Sequence, residues 1–389
     1  MKLRLEKYII QNKTLLFVVA FSFVGVILGA CILAKGAGPE GGLKDAVKDK
    51  FLIGVAMNKA QIIGADSIGD NLIAKHFNSI VAENCMKIEA IQPAEGEFDF
   101  ALSDLFVTFG EEHNMFVIGH TLIWHSQTPK WFFVDKNGNQ VSREVLIQRM
   151  RRHITTVVNR YKGRVKGWDV VNEAINDDGS WRDSPFYRII GKDYVKLAFQ
   201  FTHEADPDAE LYYNDYSMAL EGKRNAVVKM IKELQSSGVK VSAVGMQTHL
   251  MLNSPSISDF EKSLIAFASL GVKVMITEMD VTVLPFPNPK GGADVSQEYR
   301  YDAIQNPYKD GLPDSVATAL YERYADFFRL FFKHKDKISR VTLWGLTDRD
   351  SWRNNWPVRG RTDYSLLFDR KYNPKPIVET IINEAKSNK

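Results

Sequence analysis

The chain has 389 residues, 45% of them hydrophobic and 25% charged, with a formal net charge of +3. This is an ordinary globular composition, long enough for one large core. Residues 1–13 carry Lys2, Arg4, Lys7 and Lys13 against Glu6, a net of +3 equal to that of the whole chain. Everything after the leader is therefore close to neutral, which argues against a nucleic-acid surface, since that needs a concentrated basic patch.

The basic leader runs into an apolar stretch from Thr14 to Leu28, the pattern of an export signal. Leu28-Gly-Ala-Cys31 resembles a bacterial lipobox, in which small residues precede a cysteine that becomes lipidated. Two other readings stand beside it. The run to Ala34 is long enough to be an uncleaved membrane anchor, and cleavage near Ala34-Lys-Gly would release the chain. The expectation is an exported protein, held at the cell envelope through lipidated Cys31 or else secreted. Its only link to a membrane would be this N-terminal segment. Cys85 is the one other cysteine, so lipidation of Cys31 would leave it without a partner. Gly-rich residues 36–42 read as a tether within a lead-in over 32–50.

From residue 51 onward, strand-like and helix-like patterns alternate. Apolar, β-branched runs predict strands over 51–58, 80–87, 116–125, 168–173, 211–214, 244–249, 274–278 and 341–346. Between them, residues 142–161 place Leu146, Met150, Ile154, Val157 and Tyr161 on one helical face behind a cap at Ser142. Residues 223–237 stop at Gly238, and residues 259–270 stop at Gly271, both helical stop signals. Eight such alternations predict parallel strands joined by crossover helices. The fold class is α/β, a single-domain (β/α)8 TIM barrel over 51–389, for which roughly 250 residues suffice. A doubly wound open sheet is the alternative, weakened because no Gly-rich phosphate loop follows the first strand. The Pro-, Gly- and Asn-rich segment 284–313 follows the seventh strand and would overhang the carboxyl ends of the strands. Phe286, Tyr299, Tyr301 and Tyr308 would be its candidate sugar contacts.

Polar residues gather where the strands end. Gly167–Ala174 reads Gly-Trp-Asp-Val-Val-Asn-Glu-Ala, and Lys273–Asp280 reads Lys-Val-Met-Ile-Thr-Glu-Met-Asp. Each is an apolar strand closing on a carboxylate, Glu173 or Glu278. Alone, either would simply be a solvated strand terminus. As a pair brought together by a barrel, they are what acid–base and nucleophilic work at one bond requires. Around them come Glu83, Asn84 and Lys87 from the second strand, His120, Trp124, His125 and Gln127 from the third, and Asn172 beside Glu173. Asn214, Asp215 and Tyr216 follow the fifth strand, Gln247 and His249 the sixth, Asp280 the seventh, and Trp344 and Trp352 the eighth. Amides, imidazoles and an amine bind sugar hydroxyls edge-on, and indoles stack on sugar faces. Alternation along a strand places Glu278 with Asp280, and Gln247 with His249.

Taken together, Glu83-Asn84-Cys-Met-Lys87, Gly119-His120-Thr-Leu-Ile-Trp124-His125-Ser-Gln127, Trp168-Asp-Val-Val-Asn172-Glu173 and Ile276-Thr-Glu278-Met-Asp280 resemble the signatures of glycoside hydrolase family 10, the endo-β-1,4-xylanases. The resemblance runs from about Phe51 to about Glu384. It departs at Ile88, where the family's first motif has tryptophan, and at the loop 284–313. It implies Glu173 as general acid/base and Glu278 as nucleophile in a retaining double displacement on xylan or xylo-oligosaccharides, with no cofactor and no metal. It further implies that His249 and Asp280 orient Glu278, and that Asn172 bonds the sugar's 2-hydroxyl. Glu83, Asn84, Lys87, His120, Trp124, Gln127, Tyr216, Gln247, Trp344 and Trp352 would bind substrate, with His125 supporting.

Duller readings stand beside these. A lone histidine such as His125 commonly just donates to a carbonyl, Lys87 could be a solvated charge, and the three indoles could be plain core. His120 and His125 lack the spaced carboxylate that a metal site would bring. For the whole chain, two rivals are a β-glucanase on the same barrel and a xylan-binding surface protein that has lost catalysis. The latter should lack one carboxylate, and both are present.

Overall fold

The computed structural model describes residues 41–287 and 299–387 of the chain. The stretches expected to be an export signal and a lipobox with Cys31, and the middle of the 284–313 loop, lie outside the described residues. Eight parallel strands close into a ring. β1 (Leu52–Met57) lies between β2 (Ser79–Ala82) and β9 (Ile338–Leu343), and the order continues through β3 (Phe116–Trp124), β4 (Gly167–Asn172), β5 (Glu210–Asp215) and β6 (Ala243–Met246). β6 pairs with β8 (Lys273–Thr282), which pairs with β9 and completes the circle. Closure rules out the open-sheet alternative. The short β7 (His249–Met251) resumes the sixth position after a break at Gln247–Thr248 and pairs with the far end of β8, His249 opposite Asp280.

Packing follows the two faces of each strand. Alternate side chains point outward to a large apolar layer shared with the surrounding helices, such as Ile53, Val55, Ile80, Val244 and Ile276. The opposite face fills the barrel's interior with Ala56, Val81, Ile118, Tyr212, Ala243, Met275 and Trp344. The helix Arg143–Arg160 starts at Ser142, whose hydroxyl accepts from the Val145 amide. The helices Glu221–Ser236 and Ile257–Ala268 end short of Gly238 and Gly271, both with positive φ. In the lead-in, the helix Leu43–Val47 buries Leu43 and Val47, and Lys44 Nζ donates to the Ala74 carbonyl at 2.6 Å.

The strands differ from expectation in ways that shape the site. The second stops at Ala82, and residues 83–87 leave as a turn closed by Lys87 N–H to Asn84 O, 3.1 Å, with Lys87 capping the short helix Ile88–Ile91. Asn84 favours that turn over continued strand. The seventh barrel strand runs four residues past Glu278, because β7 gives its far half a partner. Glu278 and Asp280 therefore lie inside a strand. The last barrel strand ends at Leu343, before Gly345 at φ 129°.

Candidate active site

Two backbone features let the strand ends converge. Gly119 sits against Trp168, where an added Cβ would fall 2.1 Å from the indole, so the β3–β4 approach needs glycine. Glu173 follows the last residue of β4 in a left-handed conformation, φ 59°, a state that costs a non-glycine residue about 1–3 kcal/mol. Neighbours hold it there: its N–H donates to Asn214 O and its carbonyl accepts from Arg182 Nε, both at 2.9 Å.

The two carboxylates are linked by a short chain of amides. Glu173 Oε1 accepts from Asn172 Nδ2 at 3.1 Å and Gln247 Nε2 at 3.0 Å, and its Oε2 accepts from Trp124 Nε1 at 2.9 Å. Asn172 Oδ1 accepts from Asn214 Nδ2 at 3.0 Å, and the same Nδ2 donates to Glu278 Oε1 at 2.8 Å. Two side-chain amides thus stand between Glu173 and Glu278, which face one cavity of about 150 Å³. Glu278 Oε2 lies 3.3 Å from His249 Nε2, and His249 Nδ1 lies 3.1 Å from Asp280 Oδ2. The sequence-predicted triad is present.

Electrostatically the two glutamates part company. Burial raises the Glu173 pKa above the usual carboxylate range, and the bonds from Gln247 and Trp124 offset only part of this. Glu278 is equally buried, yet the bond from His249, the neighbouring imidazoles and Asn214 outweigh burial and hold its pKa below the usual range. Burial would lower the His249 pKa, but Asp280 and Glu278 overcome it and raise it to about 9. Asp280 is held low by His249 and Arg353 despite burial. The two carboxyls are shifted in opposite directions, Glu173 toward holding its proton and Glu278 toward releasing it, the direction that an acid and a nucleophile require.

The remaining predicted residues fall into place by strand. Lys87 Nζ donates to Asn84 Oδ1 at 2.9 Å and Gln127 Oε1 at 2.8 Å and lies 4.9 Å from the Trp124 ring centroid. Burial lowers its pKa, against the pull of Glu83, Glu278 and Glu173. It is buried, so the solvated-charge reading fails. Glu83, Asn84, Lys87, His120, Trp124, Gln127, Asn172, Gln247, Trp344 and Trp352 all line the cavity of the two glutamates. His120 Nδ1 is tied to Asp169 at 2.9 Å and its ring meets Trp344 edge-on at 5.3 Å. Trp352 donates to Asp280 Oδ2 at 2.6 Å and stacks on Trp356 at 4.6 Å. His125 stands back, its Nε2 4.0 Å from Glu173 Oε2.

Tyr216 is the exception. It does not line that cavity but an adjoining one of about 350 Å³, sharing His249 with the first. Its hydroxyl accepts from Arg182 Nη2 at 2.5 Å, and its ring carries Lys223 Nζ at 3.8 Å. The 284–313 loop contributes Phe286 to this second cavity, whereas Tyr301 is exposed and Tyr308 offers its carbonyl to Tyr364. Sequence reasoning placed Asn214 at a strand end without a role. Its bond to Glu278 depends on Thr277, whose hydroxyl donates to Asn214 Oδ1 at 2.6 Å. Arg182 and Trp356 lie in loops without a periodic pattern and left no local signal. Asp169 did leave one, a polar residue inside an apolar strand.

The family model for glycosyl hydrolase family 10 matches residues 42–384. The chain belongs to glycosyl hydrolase family 10. It is 54% identical over 340 residues to endo-1,4-beta-xylanase A of Xylanibacter ruminicola, covering 87% of this chain and 92% of that one. It is 39% identical to the endo-1,4-beta-xylanase of Geobacillus stearothermophilus, covering 88% and 98%. Among solved structures, a GH10 endoxylanase from a sugarcane soil metagenome superposes with a TM-score of 0.86 at 46% identity, over 88% of this chain and 99% of that one.

Proposed function

We propose that this family 10 hydrolase is a retaining endo-1,4-β-xylanase, with Glu173 as acid/base and Glu278 as nucleophile. The observation that carries the reading is two buried carboxyls on one cavity, joined through Asn172 and Asn214 and shifted in pKa in opposite directions. Glu173 donates its proton to the glycosidic oxygen as that bond to the anomeric carbon breaks, and Glu278 attacks the same carbon to form a glycosyl ester. Glu173, now a carboxylate, takes a proton from water, which attacks the anomeric carbon and releases Glu278. His249, cationic between Glu278 and Asp280, keeps the nucleophile ionised and oriented.

The binding roles follow from position. Asn172 Nδ2 has a second hydrogen beyond the one given to Glu173 and offers it to the sugar's 2-hydroxyl, a contact that strengthens in the transition state. Glu83, Asn84, Lys87 and Gln127 form one connected polar wall for the neighbouring sugar. Trp344 and Trp352 supply stacking faces. Xylan or its oligosaccharides fit best, and the names of the similar xylanases point the same way.

The test is release of reducing ends from xylan and from β-glucan, with the anomer of the first product read by proton NMR. Cleavage of xylan with a retained β-anomer is expected. An inverted anomer refutes double displacement, preference for β-glucan refutes the substrate, and silence on both leaves a binding protein.

A further inference from the structure

The peptide group that joins Glu173 to Ala174 is clamped at both of its polar atoms. Its carbonyl accepts from Arg182 Nε at 2.9 Å, and its N–H donates to the Tyr213 hydroxyl at 3.1 Å. Glu173 holds φ at 59° just before this peptide, a conformation that persists only where the surroundings impose it. The clamp therefore fixes where the Glu173 side chain points.

Both arms of the clamp lead to one buried ion pair. On one side, the Tyr213 hydroxyl donates to Asp215 Oδ2 at 2.5 Å, and Lys223 Nζ lies 2.8 Å from Asp215 Oδ1. On the other, Arg182 Nη2 donates to the Tyr216 hydroxyl at 2.5 Å, and Lys223 Nζ sits 3.8 Å from the centre of the Tyr216 ring. Tyr216 is tied to the pair as well, its N–H donating to Asp215 Oδ1 at 2.9 Å. Lys223 also reaches Asp177 Oδ1 at 3.3 Å, in the loop that leaves Ala174. An ammonium has three donor hydrogens, and two carboxylates and a ring face meet them. The loop lies directly on the helix turn that carries Lys223. A Cβ added at Gly179 would fall 2.6 Å from Gly222 O, and one at Gly222 would fall 2.8 Å from Asp178 O.

Stability alone does not explain a lysine here. Lys223 and Asp215 are both fully buried. A buried ion pair gains little over apolar side chains of the same size, because desolvation of the two charges offsets their attraction. Lys223 also lies in the first turn of the helix Glu221–Ser236, where the positive end of the helix dipole disfavours a cation. What the pair supplies, and apolar packing would not, is direction, since each partner is held by a hydrogen bond of fixed geometry.

We propose that Lys223 is a positioning residue for the acid/base: paired with Asp215, it holds the Glu173–Ala174 peptide from both sides and so keeps the Glu173 carboxyl on the leaving oxygen. Lys223 lines neither cavity, so it acts through other residues. The inference rests on the reading of Glu173 as acid/base.

The experiment compares kcat/KM for two xylobiosides of similar size, one with a dinitrophenyl leaving group that departs without a proton and one with a plain phenyl group that needs it. Lys223→Met should lower kcat/KM on the phenyl glycoside by about tenfold, a part of the roughly 10²–10⁴-fold that a general acid supplies, and leave the dinitrophenyl glycoside nearly unchanged. Tyr213→Phe keeps the ring and removes one arm, and should show the same split to a smaller degree. Glu173→Gln sets the full size of the split. An equal fall on both glycosides, as a merely structural lysine would give, overturns the proposal, and so does no fall on either. Should Lys223→Met fail to fold, Tyr213→Phe decides by the same two outcomes. Absence of any split in Glu173→Gln instead overturns the reading of Glu173 as the acid.

Discussion

Replacing His249 with glutamine isolates what the buried imidazolium does for Glu278. The native ring lies 3.3 Å from Glu278 Oε2 and 3.1 Å from Asp280 Oδ2, and its pKa of about 9 keeps it cationic at neutral pH. Glutamine keeps a donor near Glu278 and removes the charge. A hydrogen bond to a charged group contributes roughly 1.5–3 kcal/mol against about 0.5–1.5 for a neutral one. The difference, on the order of 1 kcal/mol, corresponds to roughly one pKa unit. The acidic limb of kcat/KM, which reports the free enzyme's ionisations, should therefore move up by roughly one unit. Asp280 loses its cation too and retains Trp352 Nε1 at 2.6 Å and Arg353 at 3.9 Å, so the limb belongs to the Glu278–Asp280 pair. The assay is initial rate on a xylo-oligosaccharide at low concentration across the acid range. Stability supplies a second readout. The folded pKa of His249 lies above its unfolded value near 6.5, so its stabilisation is present in full below about pH 6.5 and is lost as pH rises through about 9. The gap in melting temperature between native enzyme and variant should be wide in mild acid and closed in alkali. An unmoved acidic limb, with a gap indifferent to pH, would mean that the ring is a neutral spacer and that Glu278 is held low by something else.

Other perturbations probe the remaining parts. Glu173→Gln should lower turnover of xylan by about 10²–10⁴-fold while sparing glycosylation by aryl xylosides whose leaving group needs no proton. Burial raises the Glu173 pKa above its unfolded value, so the native carboxylate costs stability at neutral pH. The variant should melt higher there, and the advantage should vanish as pH falls below the carboxylate range. Arg182→Gln removes a cation that partly lowers the Glu173 pKa, so the basic limb of kcat/KM should rise in pH; a change confined to KM would assign Arg182 to substrate binding through Tyr216. Gly119→Ala drives a Cβ to 2.1 Å from Trp168 and should cost about 1–3 kcal/mol or more, read as a lower melting temperature; an unchanged melt would mean that β3 and β4 part freely. We also propose lipidation at Cys31: labelled fatty acid should enter the native protein in cells and not the Cys31→Ser variant.

The barrel was legible because its strands are local patterns. Runs such as Val170-Val171 and Val274–Ile276 are apolar and β-branched wherever they end up, and helices stop at glycines that mark themselves. Convergence of strand ends then follows from closure alone, which is why every strand-end residue expected to bind substrate except Tyr216 lines the cavity of the two glutamates. What escaped depends on partners supplied by other elements. β8 runs beyond Glu278 only because β7 pairs with it. Tyr216 sits three positions from β5's Tyr213 but turns to Arg182 and Lys223, into the neighbouring cavity. Arg182 reaches the Glu173 carbonyl from a loop with no pattern of its own.

The same distinction governs the chemistry. Asn172-Glu173 and Thr277-Glu278 are near-equivalent local settings, a short polar residue and a glutamate at an apolar strand, and nothing within either says which glutamate keeps its proton. The difference is supplied from other strands. Glu173 is buried, its carboxylate accepts from neutral donors, the Trp124 indole from β3 and the Asn172 and Gln247 amides, and the Arg182 cation offsets burial only in part. Glu278 receives an imidazolium that is kept cationic chiefly by Asp280, two residues further along the same strand and facing its other nitrogen, and in part by Glu278 itself. Asp280 can face it only because β8 continues past Glu278 and β7 brings His249 into register with it. The strand extension that local pattern did not foresee is thus the structural origin of the inequality between the two carboxyls. Shortening it, by breaking the β7–β8 pairing without touching either glutamate, should bring their pKa values together by raising that of Glu278.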